Sequence, residues 1–211
     1  MANYIDGSDP RAVELAVAAL GAGSVVALPT DTVYGLAADP SLPEAVERLF
    51  ALKDRPLDVP LPVLVGDRHQ LDQVARTLDT AARRLAERFW PGPLTLVVPR
   101  TDGFTADLGG PPSARHTVGV RLPDHPLVRA LCREVGPLAV TSANTHGSPP
   151  ATTAHQVVTA FRGGEGLALV IDGGHCDGIP STVVECRGPA SRGLREGAIP
   201  WEEIFPGGGR G

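Results

Sequence analysis

Lysine is almost missing from this chain. Of its 19 lysines and arginines, eighteen are arginine and the exception is Lys53. With one lysine and no GxxxxGK[ST] run around it, a P-loop is excluded, and no GxGxxG follows a strand and opens a helix. A nucleotide, if bound, is held without either of these glycine cradles. Cysteine is scarce too. Cys132, Cys176 and Cys186 form no CxxC pair and cannot all pair with one another, which points to a reducing compartment. His175-Cys176 is adjacent rather than spaced like zinc ligands, and no second ligand pair follows, so no zinc site is expected. No apolar run approaches the roughly 18 residues of a membrane span, and the N-terminus lacks the basic and apolar regions of a leader. The expectation is a cytoplasmic protein without a membrane partner. GxSxG and HExxH are absent, and the six scattered histidines read as surface or capping residues.

What remains is an ordinary globular composition. The 211 residues, 42% hydrophobic and 20% charged, suit one domain, expected over residues 1–205, followed by a flexible glycine-rich tail at 206–211. The net charge of −5 does not advertise nucleic acid, although a cleft can differ in sign from the whole molecule.

Hydrophobic periodicity supplies the elements. Ser8-Asp9-Pro10 reads as a helix start, with Val13, Ala16, Val17 and Leu20 at helical spacing. Ser24–Leu28 reads as a buried strand that stops at a polar loop, Pro29–Gly35. Ser41-Leu-Pro-Glu44 has capping-box spacing and opens a helix running to Lys53. Leu61–Val65 reads as a strand whose Pro62 argues for an edge or a strand start. Helices are expected over Asp67–Leu78 and Asp79–Phe89, strands over Leu94–Val98 and Thr117–Leu122, and between these strands a Gly/Pro-rich loop that is a candidate lid. Asp124 reads as the cap of the next helix. A strand at Leu138–Val140, a helix from Thr153, strands at Leu167–Ile171 and Thr182–Glu185, and a short helix near Trp201–Phe205 complete the chain. This alternation predicts an α/β domain with a largely parallel or mixed sheet. Its polar segments fall after strands, where ligands gather in open α/β sheets.

Each polar segment has two readings. Thr30-Asp31-Thr32 either holds a polar ligand or forms an Asx or ST turn. Lys53 and Arg55 either grip phosphates or cap a helix C-terminus. Lysine is a compact point charge where arginine is a planar fork, so a single retained ammonium marks a candidate anion contact, and the capping reading stays open beside it. Thr117 and Arg121 lie four apart in a strand and share a face; a buried Arg121 requires an anion, from a ligand or from an internal salt bridge. Ser142-Ala-Asn144, Ser181-Thr182 and Arg195 either bind a ligand or turn the chain.

Taken in order, Pro29-Thr-Asp-Thr-Val-Tyr-Gly-Leu36, Lys53-Asp-Arg-Pro56, Trp90-Pro-Gly-Pro-Leu-Thr95, Thr117-Val-Gly-Val-Arg-Leu-Pro123, Ser142-Ala-Asn144, Pro180-Ser-Thr-Val183 and Leu194-Arg195 resemble the YrdC-like family, the threonylcarbamoyl-AMP synthases, in its short single-domain form. The resemblance covers about residues 10–200. It implies a twisted, mixed α/β sheet flanked by helices, with a concave basic cleft. It also implies a nucleotidyltransferase that joins L-threonine, bicarbonate and ATP into threonylcarbamoyl-AMP and pyrophosphate. The product serves tRNA threonylcarbamoyladenosine modification through downstream transfer proteins.

By the same resemblance, Lys53 and Arg55 hold the ATP phosphates and act in catalysis. Thr117, Ser142, Asn144 and Arg195 contact the nucleotide. Thr32, Arg121 and Ser181 hold L-threonine, with Arg121 on its carboxylate. Mg²⁺ is expected with ATP, no metal is expected on protein ligands, and tRNA or double-stranded RNA is a candidate partner of the concave face. The chain departs from the family pattern at Val59 and Leu64, where an Asn and a His are common, and at Pro150 and Glu196. Two alternatives stand beside the main reading: a carbamoyl-adenylate-forming enzyme of a maturation or natural-product pathway, and a non-catalytic RNA-binding module.

Overall fold

The computed structural model describes residues 2–53, 58–145, 147–187 and 191–206. In chain order it comprises β1 (Asn3–Asp6), α1 (Ala12–Gly21), β2 (Val25–Leu28), β3 (Gly35–Ala38), α2 (Pro43–Lys53), β4 (Val63–Leu64), α3 (Arg68–Val74), α4 (Thr80–Phe89) and β5 (Leu94–Pro99). A 3-10 turn at Pro112–His116 precedes β6 (Thr117–Arg121), followed by α5 (Pro126–Val135), β7 (Leu138–Ser142), α6 (Ala154–Ala160), β8 (Leu167–Asp172), β9 (Thr182–Cys186), β10 (Ser191–Arg195) and α7 (Trp201–Ile204).

All ten strands join one open sheet in the order β1-β8-β2-β3-β7-β4-β6-β5-β9-β10. The sheet is mixed. β1 and β2 pair parallel with β8, β4 with β6 and β5 with β9, while β2–β3, β3–β7, β4–β7, β5–β6 and β9–β10 are antiparallel. Parallel pairing therefore does not predominate. The loop between β2 and β3 shows why: residues 29–34 are too few for a crossover, which takes a dozen or so, and only an antiparallel neighbour is within reach.

The sheet is packed on both faces by alternation along each strand. In β2, Val25 and Ala27 join the core that holds Leu49 and Phe50 of α2 and Val157 of α6, whereas Val26 and Leu28 join the core that holds Leu20 of α1 and Leu131 of α5. This double burial explains the uninterrupted apolar run. The two cores do not cover the two faces equally. On β6, Val118 and Val120 belong to the first core, so Thr117, Gly119 and Arg121 point to the face that α1 and α5 cover elsewhere. There Thr117 and Arg121 line cavities.

Several expectations shift. β1, β3 and β10 carry no readable alternation and emerge only as partners of stronger strands. Pro62 starts a short strand held between β6 and β7, not an edge. The helix expected to reach Leu78 ends at Val74, because Ala75 bridges Arg100 and leaves the helix. His125, not Asp124, occupies the N-cap of α5, with Pro126 in its first turn. The tail is described only at Pro206; residues 207–211 lie outside the described residues.

Candidate active site

The site is assembled from strand ends. At the end of β2, Thr30 takes the turn reading: its hydroxyl accepts from the N–H groups of Thr32 and Val33 and donates to the Val33 carbonyl at 2.6 Å. Thr32, two residues on, is held by the same turn. Its buried hydroxyl lies 2.9 Å from Thr30 Oγ1 and accepts from Arg121 Nη1 at 2.9 Å. Tyr34, fully buried, ties the loop to the end of β8, because its hydroxyl donates to the Gly174 carbonyl at 2.8 Å and accepts from the Gly173 N–H at 3.0 Å.

Arg121, at the end of β6, is a buried cation of this site. Its Nε donates to the Gly92 carbonyl at 3.0 Å, and its Nη2 pairs with Asp31 Oδ1 at 2.5 Å. Burial lowers the guanidinium pKa, and the charge of Asp31 works against that lowering. The internal salt bridge is formed: three atoms are fixed by Asp31, Thr32 and Gly92, and Arg121 also lines a cavity. Asp31 Oδ2 is buried without a hydrogen-bond partner. Gly92 was not singled out as a site residue from the sequence; its signal is the Trp90-Pro-Gly-Pro turn, which Trp90 anchors by donating to the Leu94 carbonyl at 2.7 Å.

The cavity has a volume of about 220 Å³, and its walls include Thr32, Arg121, Ser142, Ser181 and Arg195. Ser181 Oγ lies 2.8 Å from Thr95 Oγ1 and accepts from Arg195 Nη2 at 3.2 Å. Arg195 Nη2 also donates to the Ser181 carbonyl at 2.8 Å. Leu64 and Pro150, two of the departures, form apolar wall here. Glu196 accepts from the N–H of Trp201, the first residue of α7, at 2.7 Å.

Lys53, the last residue of α2, is 5% exposed and turns its ammonium to the end of β7. It donates to the Ser142 carbonyl at 2.7 Å, to Thr141 Oγ1 at 3.2 Å and to Asn144 Oδ1 at 3.2 Å. Asn144 in turn accepts from Ser142 Oγ at 2.6 Å and donates to the Ser148 carbonyl at 2.7 Å. Lys53, Ser142 and Asn144 thus form one cluster, joined to the cavity through Thr141 and Ser142. Arg55 lies outside the described residues. Thr117 does not join the cluster: its hydroxyl donates to the Ala114 carbonyl at 3.1 Å, and it lines a second cavity with Arg76, Arg100, Arg115 and Arg187. The loop considered a candidate lid lines that second cavity and is tied down by Arg100, which donates to the carbonyls of Phe104 and Ala106.

The open mixed α/β sheet thus gathers hydroxyls and guanidiniums at its strand ends, groups whose chemistry suits anions. Comparison with known proteins narrows the class. The Sua5_yciO_yrdC family model, whose description reads "Telomere recombination", matches residues 18–197. The chain belongs to this Sua5/YciO/YrdC family. A relative from Mycobacterium tuberculosis is 40% identical over 209 residues, covering 97% of this chain and 94% of that protein. The threonylcarbamoyl-AMP synthase of Bacillus subtilis is 40% identical over 200 residues, which make up 93% of this chain but 56% of that enzyme. Pyrococcus abyssi Sua5, solved in complex with L-threonine, superposes with a TM-score of 0.87 at 35% identity, covering 100% of this chain and 61% of that one.

Proposed function

We propose that this protein is an L-threonylcarbamoyladenylate synthase, making threonylcarbamoyl-AMP and pyrophosphate from L-threonine, bicarbonate and ATP for tRNA threonylcarbamoyladenosine modification. The observation that carries the reading is the convergence of Thr32, Arg121, Ser181, Ser142 and Arg195 on one cavity, with Lys53 bonded to its wall, in a chain about 40% identical to named synthases.

The chemistry suits these groups. Carbamate formation from threonine and bicarbonate asks little of a protein base. Attack of the carbamate oxygen on the α-phosphate is governed by positioning and charge stabilisation, which cations and hydroxyls supply. Arg121 takes the threonine carboxylate, with Thr32 and Ser181 beside it. Lys53 and Arg55 take the ATP phosphates, and Ser142, Asn144 and Arg195 contact the nucleotide at the cavity mouth. Thr117 reaches the nucleotide only if ATP extends along β6 toward the second cavity. Mg²⁺ would enter with ATP and would supply charge neutralisation on its phosphates. tRNA on the concave face and downstream transfer proteins complete the proposal, in a cytoplasmic setting. Among the described residues no helix is long and apolar enough to cross a membrane.

The test is pyrophosphate release from ATP with threonine or bicarbonate omitted in turn. Release that needs both is expected. Release indifferent to threonine would sink the proposal, release with carbamoyl phosphate would favour the carbamoyl-adenylate alternative, and no turnover with salt-sensitive RNA binding would favour the binding module.

A further inference from the structure

Thr117 and Arg121 share a face of β6 but line two cavities that have no lining residue in common. Along the strand the two residues are about 13 Å apart. The cavity at Thr117 has a volume of about 780 Å³, within the range of small-molecule sites. Four arginines line it: Arg76, Arg100, Arg115 and Arg187. The sheet brings three of them together, because β6, β5 and β9 are neighbours. Arg100 directly follows β5, and its N–H donates to the carbonyl of His116, the residue between Arg115 and β6, at 2.9 Å. Arg187 directly follows β9, which pairs parallel with β5 as far as Val97 and Glu185. Adjacent strands lie about 4.8 Å apart, so three guanidinium-bearing residues leave one end of the sheet side by side. Like charges so placed repel one another unless an anion lies between them.

The carboxylates at hand leave that repulsion largely in place. Asp102 pairs with Arg76 at 2.7 Å, but the two side chains are 91% and 59% exposed, where such a pair contributes little. Glu185 is divided between Arg187 and Arg192, at 2.7 and 3.0 Å. Asp107 accepts from the Gly109 N–H at 3.0 Å. Arg115 makes no hydrogen bond or ion pair among the described residues. Arg100 uses two of its five donors on the Phe104 and Ala106 carbonyls, and its Nη1 makes no hydrogen bond among the described residues. Burial lowers the Arg100 pKa, and the charge of Asp107 opposes the lowering. We propose that this cavity is a second anion site, which takes a diphosphate group on Arg100 and Arg115 with Arg76 and Arg187 around it. The guanidinium fork matches pairs of phosphoryl oxygens. Inorganic pyrophosphate and the diphosphate of a free nucleotide share this chemistry. A compact anion suits the cavity better than an extended one, because Asp102 and Asp107 are exposed and line it too. The site goes beyond the synthase reading and does not depend on it.

The test is calorimetric titration of the full chain with inorganic pyrophosphate, sulfate, ADP and a short RNA duplex, in the wild type and in Arg115→Gln. Arg115 is exposed and does not line the cavity at Arg121, so folding is not at stake. Pyrophosphate is expected to bind the wild type at least about tenfold more tightly than sulfate, and Arg115→Gln to weaken it about tenfold, the scale of one charge-assisted contact. Arg76→Gln, which gives up only an exposed pair, is expected to weaken it about threefold. KM for ATP should stay within about twofold of wild type in both variants. An ADP affinity that falls with that of pyrophosphate assigns the site to nucleotides, and an unchanged one assigns it to free pyrophosphate. Superimposable pyrophosphate titrations of wild type and Arg115→Gln, or sulfate bound as tightly as pyrophosphate, overturn the site. A KM for ATP that rises in step with the lost pyrophosphate affinity would make the cavity an extension of the nucleotide site, and an effect on RNA alone would make it a nucleic-acid surface; either overturns the proposal. The titrations need no turnover, so failure of the synthase reading is told apart from failure of this one.

Discussion

Lys53 places its ammonium 2.7 Å from the main-chain carbonyl oxygen of Ser142. A helix end and a strand end are thereby pinned by a point charge, and the same nitrogen reaches Asn144. A guanidinium on a shorter stem, with its donors fixed in a plane, cannot reproduce that convergence. Lys53→Arg is therefore expected to lower kcat/KM for ATP by about a hundredfold, the scale of one to two hydrogen bonds to a charged group. Lys53→Ala is expected to lower it further. Pyrophosphate release measured against ATP concentration decides; a Lys53→Arg enzyme within about threefold of wild type would show that any cation suffices here.

The Arg121–Asp31 pair makes a prediction about stability. Both side chains are largely buried, at 8% and 14% exposure. Removing the carboxylate with Asp31→Ala leaves a buried cation without its counter-charge, at a cost of about 3–5 kcal/mol. For a chain of this size that is a fall in Tm on the order of ten degrees. Asp31→Asn keeps an acceptor for Nη2 and is expected to lose about half as much. Thermal unfolding followed by circular dichroism checks both, and an Asp31→Ala protein that melts like the wild type would contradict the account.

Strand and helix types were legible in the sequence wherever one element buried a strong apolar pattern, as in β2 and β8. β3 was not, because Gly35-Leu-Ala-Ala38 has no alternation and becomes a strand only between β2 and β7. The site was legible as motifs but not as a constellation. Nothing local in Thr117-Val-Gly-Val-Arg121 says that its two ends serve different cavities, or that Gly92 would hold Arg121. These depend on which strands become neighbours. The role of Thr30 was left open by composition because a turn and a binding loop use the same hydroxyl; here Thr30 makes the turn, and both Thr30 and Thr32 line the cavity.

The cysteines give a pH prediction. All three are buried, and burial pushes the Cys132 thiol up to about 12 from its ordinary 9.0. In the unfolded chain this thiol ionises first, so above about pH 9 the unfolded state holds fewer protons and stability falls as pH rises toward the folded value. The denaturant midpoint is expected to drop between about pH 8 and 10, and Cys132→Ala should flatten part of that slope. The native protein near pH 8 should also react slowly with Ellman's reagent and release all three thiols after denaturation. Rapid reaction of Cys132 in the native state would refute this placement.

Gly197 tests how tightly the mouth of the cavity is built. A Cβ added there would lie 2.2 Å from the Pro180 carbonyl oxygen and 2.6 Å from the carbonyl carbon of Ser181. Its own N–H donates to Thr182 Oγ1 at 3.0 Å, which holds the segment after Arg195 against the segment that carries Ser181. The clash is with backbone on both counts, so Gly197→Ala cannot be absorbed by a rotamer change and must separate the two segments, at about 1–3 kcal/mol. Because Arg195 donates to the Ser181 carbonyl and hydroxyl across that gap, the separation should disturb the cavity mouth more than Lys53 or Arg121. A loss of kcat of about tenfold or more, with Tm lowered by only a few degrees, is the expected pattern. A fall in Tm of about ten degrees or more would mean that the strain spreads beyond β9 and β10.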